Sequence, residues 1–208
     1  MKSHTKAEIL KATADIVRVN GFHSTGIEEL VTAAGIPKGS FYFYFKSKED
    51  FGLQLIDHYI DGIIAWAERL QNDTSRSPLS KVRAFFDWTF TALESNDFKG
   101  GCPIGNLSME MADVSESFRQ KLEGAFAAIK ERILALLKEA RETGEIPDYL
   151  DIAQLCEFVV GGWQGALLQA KVMKSTAPLR AFEQIVFDRL LKGDNTGDSG
   201  REVPQGER

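Results

Sequence analysis

TGIEELVTAAGIPKGSFYFYFKSKEDF, residues 25–51, holds two short helical stretches on either side of a glycine and runs directly into the start of a longer helix. Thr25 is a candidate N-cap for the first stretch, and Ile27, Leu30, Val31 and Ala34 form its apolar face. Gly35 closes it, because the left-handed conformation that ends many helices carries no Cβ penalty for glycine. The second stretch begins near Pro37. Ser47, followed by Glu49 and Asp50, then caps the longer helix and places acid at its positive end. Two helices joined by so tight a turn read as a helix-turn-helix. In that motif the second helix presents its N-terminal residues to base edges while the first crosses the backbone.

The charge pattern agrees with a local nucleic-acid contact. The 208-residue chain has a net charge of −5, which disfavours non-specific coating of nucleic acid or an anionic membrane surface. Residues 36–48 nevertheless contain Lys38, Lys46 and Lys48 and no acid. Aromatic residues run without a break from Phe41 to Phe45. Phe41 and Phe45, four apart, share a helical face and are expected in the core. Tyr42 and Tyr44 are expected outward, each able to donate its hydroxyl to a phosphate oxygen while the ring rests on apolar surface. Lys48, near a helix start, adds charge to the same face.

Outward from this segment the chain reads as all-α, with about nine helices and no alternating stretch flanked by strand-type turns. Thr5-Lys6-Ala7-Glu8 is a capping box for a first helix that ends at Asn20-Gly21. The fourth helix runs to about Gln71, and Ser77-Pro78 opens a fifth with Leu79, Val82, Phe85, Phe86, Phe90 and Leu93 on its apolar face. A shorter helix starts at Cys102-Pro103, and a long one spans Glu116 to Thr143. Two apolar helices follow, from Asp151 to Lys174 and from Pro178 to Lys192. The last of them is expected to carry Leu179, Phe182, Ile185, Val186 and Leu190 on one side. The expected division is residues 1–47 as a helix-turn-helix DNA-binding domain, 48–192 as a helical effector-binding and dimerisation domain, and 193–208 as a disordered tail with little to bury. No apolar run reaches membrane-span length, and MKSHTKAEIL lacks the apolar centre of a signal peptide. A cytoplasmic protein with no membrane partner is expected. Cys102 and Cys156 stand without CxxC or Cys/His spacing, so neither a metal site nor a cofactor is expected.

These motifs carry a resemblance. The segment resembles the DNA-binding domain of the TetR family, whose pattern is matched by Thr25, Ile27, Ala34, Gly35, Gly39, Tyr42, Phe45 and Lys48. Leu30-Val31 stands for the family's Ile-Ala pair, and Pro37 stands where Ser often begins the recognition helix. The resemblance covers about residues 5–52 by motif and the remainder by length and helical plan. It implies a DNA-binding transcriptional regulator, by family default a repressor, with DNA contacts at Thr25, Lys38, Gly39, Ser40, Tyr42, Tyr44 and Lys48. Of these, Lys38, Gly39 and Ser40 would lie nearest the bases.

A single short recognition helix reads few base pairs, so a homodimer on a pseudo-palindromic operator is expected. Its natural interface is the last two helices, where Gly161, Gly162 and Gly165 cost helix propensity unless close packing compensates. By resemblance these helices would form a four-helix bundle across the dimer. A small-molecule effector pocket between helices four and eight could be lined by Trp66, Phe86, Trp88, Phe90, Met109, Phe126 and Trp163, although an aromatic stripe at helical spacing is also how a core reads. No convergent charged set along the sequence points to the effector's identity. Gly100-Gly101-Cys102-Pro103 sets a thiol at a helix start, where backbone N–H groups and the helix dipole favour thiolate. The segment GGCPIGNL resembles the subset of TetR-like repressors that answer to electrophiles or oxidants. Cys102 is therefore a candidate sensor, with a packed turn residue as the alternative; Cys156, on an apolar face, is expected to be inert. No catalytic residues are expected. An enzyme using Cys102 as nucleophile remains an alternative, though His4, His23 and His58 have no triad spacing with it. A helical interaction adaptor is the other, and it leaves the lysine and tyrosine placement after Gly35 without a reason.

Overall fold

Thr5 caps α1 (Lys6–Asn20) by the reciprocal pair its sequence suggests. Its Oγ1 accepts from the Glu8 N–H at 3.2 Å, and the Glu8 carboxylate accepts from the Thr5 N–H at 2.7 Å. The computed structural model describes residues 5–192, and every regular element among them is helical. The tail expected at 193–208 lies outside the described residues. Helix α2 (Ile27–Ala34) ends at Gly35 in the left-handed conformation, φ 65° and ψ 31°. A 3₁₀ turn at Lys38–Ser40 runs into α3 (Phe41–Tyr44), so the recognition segment is one short helix with a tightened first turn. Ser47 caps α4 (Lys48–Gln71), its Oγ accepting from the Asp50 N–H at 3.0 Å. Then come α5 (Pro78–Glu94), α6 (Pro103–Met111), α7 (Glu116–Glu142), α8 (Ile152–Met173) and α9 (Ala177–Glu183).

Helix α7 is the hub, packing against α4, α5, α6 and α8. Its start meets the N-terminal lobe where the rings of Phe22 and Phe118 lie 5.1 Å apart. Gly52 of α4 sits in the same contact: a Cβ there would come within 2.5 Å of Phe118 and 2.6 Å of Phe22. The lobe's own centre is the aromatic group of Phe41, Phe45 and Phe51. Since Phe51 belongs to α4, the first turns of that helix serve both the lobe and the larger domain.

Two local expectations are corrected. Thr25 does not cap α2, whose N-cap is Gly26; the Thr25 side chain is buried and its hydroxyl donates to the Gly21 carbonyl at 2.6 Å, fastening the α1–α2 turn. The last helix is also not α-helical throughout. Beyond Glu183 it widens into a π-helical stretch, Gln184–Leu190, and the Leu191 N–H reaches back five residues to Val186 at 2.9 Å. The wider winding turns Val186, Phe187 and Leu191 inward and leaves Ile185 exposed, so the single apolar side expected for Leu179, Phe182, Ile185, Val186 and Leu190 is split.

A carboxyl pair lies where the winding changes. Burial, and then a hydrogen bond and repulsion from Asp87, raise the Glu183 carboxyl to about 7, against 4.5 when free. The folded state therefore holds a proton that the unfolded chain has released between those two values, and stability falls as pH rises from about 4.5 through about 7. Glu183→Gln keeps a donor toward Asp87 and has no proton to lose. Urea midpoints measured from pH 5 to 8 should decline less steeply in the variant than in the parent. Equal slopes would mean that Glu183 titrates normally.

Candidate functional site

The outward face of the recognition segment follows from its buried one. Phe41 and Phe45 are fully enclosed. At about 100° per residue, the position two beyond Phe41 points away from it. Phe43 is accordingly 84% exposed, Tyr42 is exposed, and Tyr44 is half-buried against the lobe. Phe43 is absent from the contacts expected from sequence, yet it presents the largest free apolar ring on this face, and the periodicity of the aromatic run was the signal for it. Lys38 and Gly39 are exposed and Ser40 is half-buried at the start of the segment. Lys38 Nζ lies 3.4 Å from Glu28, an exposed pair that contributes little and leaves the lysine available.

Two expected contacts already have partners within the chain. Thr25 is enclosed in its turn, as described. Lys48 donates to the His23 carbonyl at 3.1 Å and sits 4.9 Å over the Phe22 ring. Its pKa is held below the ordinary lysine value by burial, against an upward pull from Glu110. The first turn of α4 is committed too: the Asp50 carboxylate accepts from the Lys46 N–H at 2.8 Å, which holds its pKa low, and Glu49 accepts from the Ser115 hydroxyl at 2.6 Å.

Cys102 is 8% exposed and is the N-cap residue of α6. It borders two clefts and a small cavity of about 30 Å³ that Phe86, Trp88 and Trp163 also line. One cleft, of about 550 Å³, lies between α1, α4 and α5; the other, of about 270 Å³, lies between α6, α7 and α8. The expected aromatic lining divides between clefts and core. Trp88 borders the first cleft, and Phe126 and the exposed Met109 border the second. Trp163 is buried, its Nε1 donating to Thr89 Oγ1 at 2.9 Å and its ring against Phe86 and Phe182. Phe90 and Trp66 are packed on the core without bordering either cleft. The Cys156 thiol donates to the Lys130 carbonyl at 3.5 Å, and burial pushes it up to about 11.

From Cys102, α6 leads to the N-terminal lobe. Asn106 Nδ2 donates to the Arg18 carbonyl at the end of α1 at 3.1 Å and to the Gly100 carbonyl at 3.0 Å. Near the other end of α6, Glu110 accepts from the His23 N–H at 3.0 Å. The His23 peptide is thus held on one side by α6 through Glu110 and on the other by α4 through Lys48.

The comparisons agree with this architecture. Residues 9–55 match the family described as bacterial regulatory proteins, tetR family, and residues 78–186 match the tetracyclin repressor-like C-terminal domain. The chain is 34% identical over 174 residues to the transcriptional regulator AcuR of Cereibacter sphaeroides, spanning 84% of this chain and 80% of that relative. It is 32% identical over 182 residues to the HTH-type transcriptional repressor NemR of Escherichia coli strain K12, spanning 85% and 89%. A crystal structure of a regulatory protein TetR from Rhodobacter sphaeroides superimposes with a TM-score of 0.82 at 33% identity, covering 87% of this chain and 96% of that one. Among the described residues no helix is long and apolar enough to cross a membrane. With a helix-turn-helix lobe seated on a helical domain and both halves matched, the chain belongs to the TetR family of DNA-binding transcriptional regulators.

Proposed function

We propose that the protein is a cytoplasmic, dimeric repressor that holds a pseudo-palindromic operator and releases it when Cys102 is alkylated by a small electrophile. The observation that carries this reading is the position of Cys102: it borders two clefts at the head of α6, whose far end is bonded to the α1–α2 turn. With an α,β-unsaturated carbonyl compound, sulfur bonds to the β-carbon and the carbon–carbon π bond breaks. The proton given up by the thiol ends on the α-carbon. The added group extends from Cys102 into one of the clefts it borders and bears on the helices that wall it, shifting α6 and with it the anchors at Asn106 and Glu110. A coupling of about 1–3 kcal/mol, or about 5–150-fold in affinity, is sufficient for such a switch.

At the DNA, Lys38, Gly39 and Ser40 would read base edges, Tyr42 and Tyr44 would hold phosphates, and Thr25 and Lys48 would fix the turn that aims the segment. Lys38→Ala then flattens the dependence of log affinity on log salt by about 0.9, one phosphate-type charge, and relaxes sequence preference. Lys48→Ala weakens binding to every sequence with little change in that slope, because its ammonium is tied to the His23 carbonyl and the Phe22 ring rather than offered to a phosphate. Equal slope changes in a salt titration would return Lys48 to the phosphate contacts. Dimerisation would use α8 and α9, where Phe158, Leu168, Val172, Met173 and Ile185 are exposed. The three glycines have different parts: Gly162 lies 3.1 Å, measured from an added Cβ, from Phe182 of its own chain, whereas Gly161 and Gly165 face open space and would let a second helix approach.

The test is a selection of random duplexes bound by the purified protein, with its mass measured by sedimentation. A dimer that enriches a two-fold-related sequence supports the proposal. A monomer, or no enriched sequence, overturns it.

A further inference from the structure

The 550 Å³ cleft is lined by basic side chains that are far apart in the sequence. Lys11 and Arg18 come from α1, and His58 and Arg69 from α4. The one acid on its lining is Asp15, already paired with Arg18 at 2.9 Å. Among the described residues, no ion pair joins Lys11, His58 or Arg69 to a carboxylate. The rest of the wall is largely apolar, with Trp88 and Leu93 from α5, and Cys102 closes one side. Arg69 lies 5.5 Å over the ring of Trp66, which is 6.0 Å from that of Trp88. Behind this pair the Trp66 Nε1–H is buried without an acceptor. The floor is fixed by the Tyr59 hydroxyl, which donates to the Ala14 carbonyl at 2.5 Å and joins α4 to α1.

A partly enclosed cleft lined by cations of one sign concentrates anions, by about tenfold or more where low-dielectric walls focus the field. We infer that this cleft binds a small organic anion, drawn in by the positive charge of Lys11 and Arg69, with its apolar part against Trp88 and Leu93. The part of the inference that concerns reaction with Cys102 rests on the sensor reading above: the preferred electrophile is then negatively charged. Because the cleft is walled by α1 as well as α4, its occupant touches the DNA-binding lobe and the effector domain together.

Two paired comparisons test this. In the Cys102→Ser protein, Trp88 fluorescence is titrated with butyrate and with its neutral isostere butyramide, Trp88→Phe identifying the responding ring. Butyrate should give a saturable change at least about tenfold tighter than butyramide, lost in the Lys11→Gln/Arg69→Gln protein and at about 1 M salt. Equal responses, or none, overturn the anion site. In the unsubstituted protein, alkylation of Cys102 by iodoacetate and by iodoacetamide is followed by mass spectrometry. Sulfur bonds to the methylene carbon, iodide leaves and the thiol proton passes to solvent. The ratio of the two rates, normalised to that of 2-mercaptoethanol, should be raised about tenfold and should fall toward one in the double variant. A ratio near one overturns the charge preference at the thiol. Butyrate binding with no alkylation by either reagent would sink the Cys102 sensor while leaving the anion site standing.

Discussion

Phe41→Ala weakens operator binding by at least about tenfold while the larger domain stays folded. Phe41 is fully enclosed, with the rings of Phe45 and Phe51 at 5.3 and 5.9 Å, and it fixes the helix that carries the outward face. Truncating a buried phenylalanine costs about 3–5 kcal/mol. Only the folded fraction of the lobe binds DNA, so affinity should fall by at least about tenfold. Hydrogen exchange should quicken across α1 to α3 and stay slow in α7 and α8. Phe43→Ala, at an exposed position, should leave exchange unchanged. Parent-like affinity in Phe41→Ala would mean that the aromatic centre does not hold the recognition segment.

Glu110→Ala separates binding from release. The variant keeps every outward residue of the recognition segment, so operator affinity should stay within a few-fold of the parent. The His23 N–H loses its acceptor on α6, and a shift of α6 no longer pulls the turn. The release ratio should therefore contract from the expected range of about 5–150-fold toward one. Glu110→Gln retains an acceptor oxygen and should restore most of the response. Full release in Glu110→Ala would place the coupling elsewhere, with Asn106 on Arg18 as the remaining bond from α6 to α1.

What the sequence made legible is what local chemistry controls. The Thr5–Glu8 box, the Ser47 and Ser77 caps, Gly35 in its left-handed turn and the inward pair Phe41 and Phe45 all follow from spacings of three or four residues. The π-helical widening after Glu183 does not, because it arises where α9 packs on the rest of the molecule. Thr25 reads as a cap from its neighbours, but in three dimensions its hydroxyl meets the Gly21 carbonyl first. The basic cleft was invisible for the same reason: residues 11, 18, 58 and 69 lie on two helices and come to line one cleft only when α1 and α4 pack. Glu110 on His23, 87 residues apart, has no sequence signature at all. The three glycines of α8 form one motif in sequence, and packing divides them between the protomer's interior and its open face.

The most direct test of the account is an operator titration before and after Cys102 carries a single added group, with stoichiometry confirmed by mass. The operator is the duplex enriched in the random selection, and the Cys102→Ser protein is treated in parallel. The account predicts that modification weakens operator binding about 5–150-fold and that the treated Cys102→Ser protein binds as before. Undiminished affinity in protein fully modified at Cys102 would contradict it.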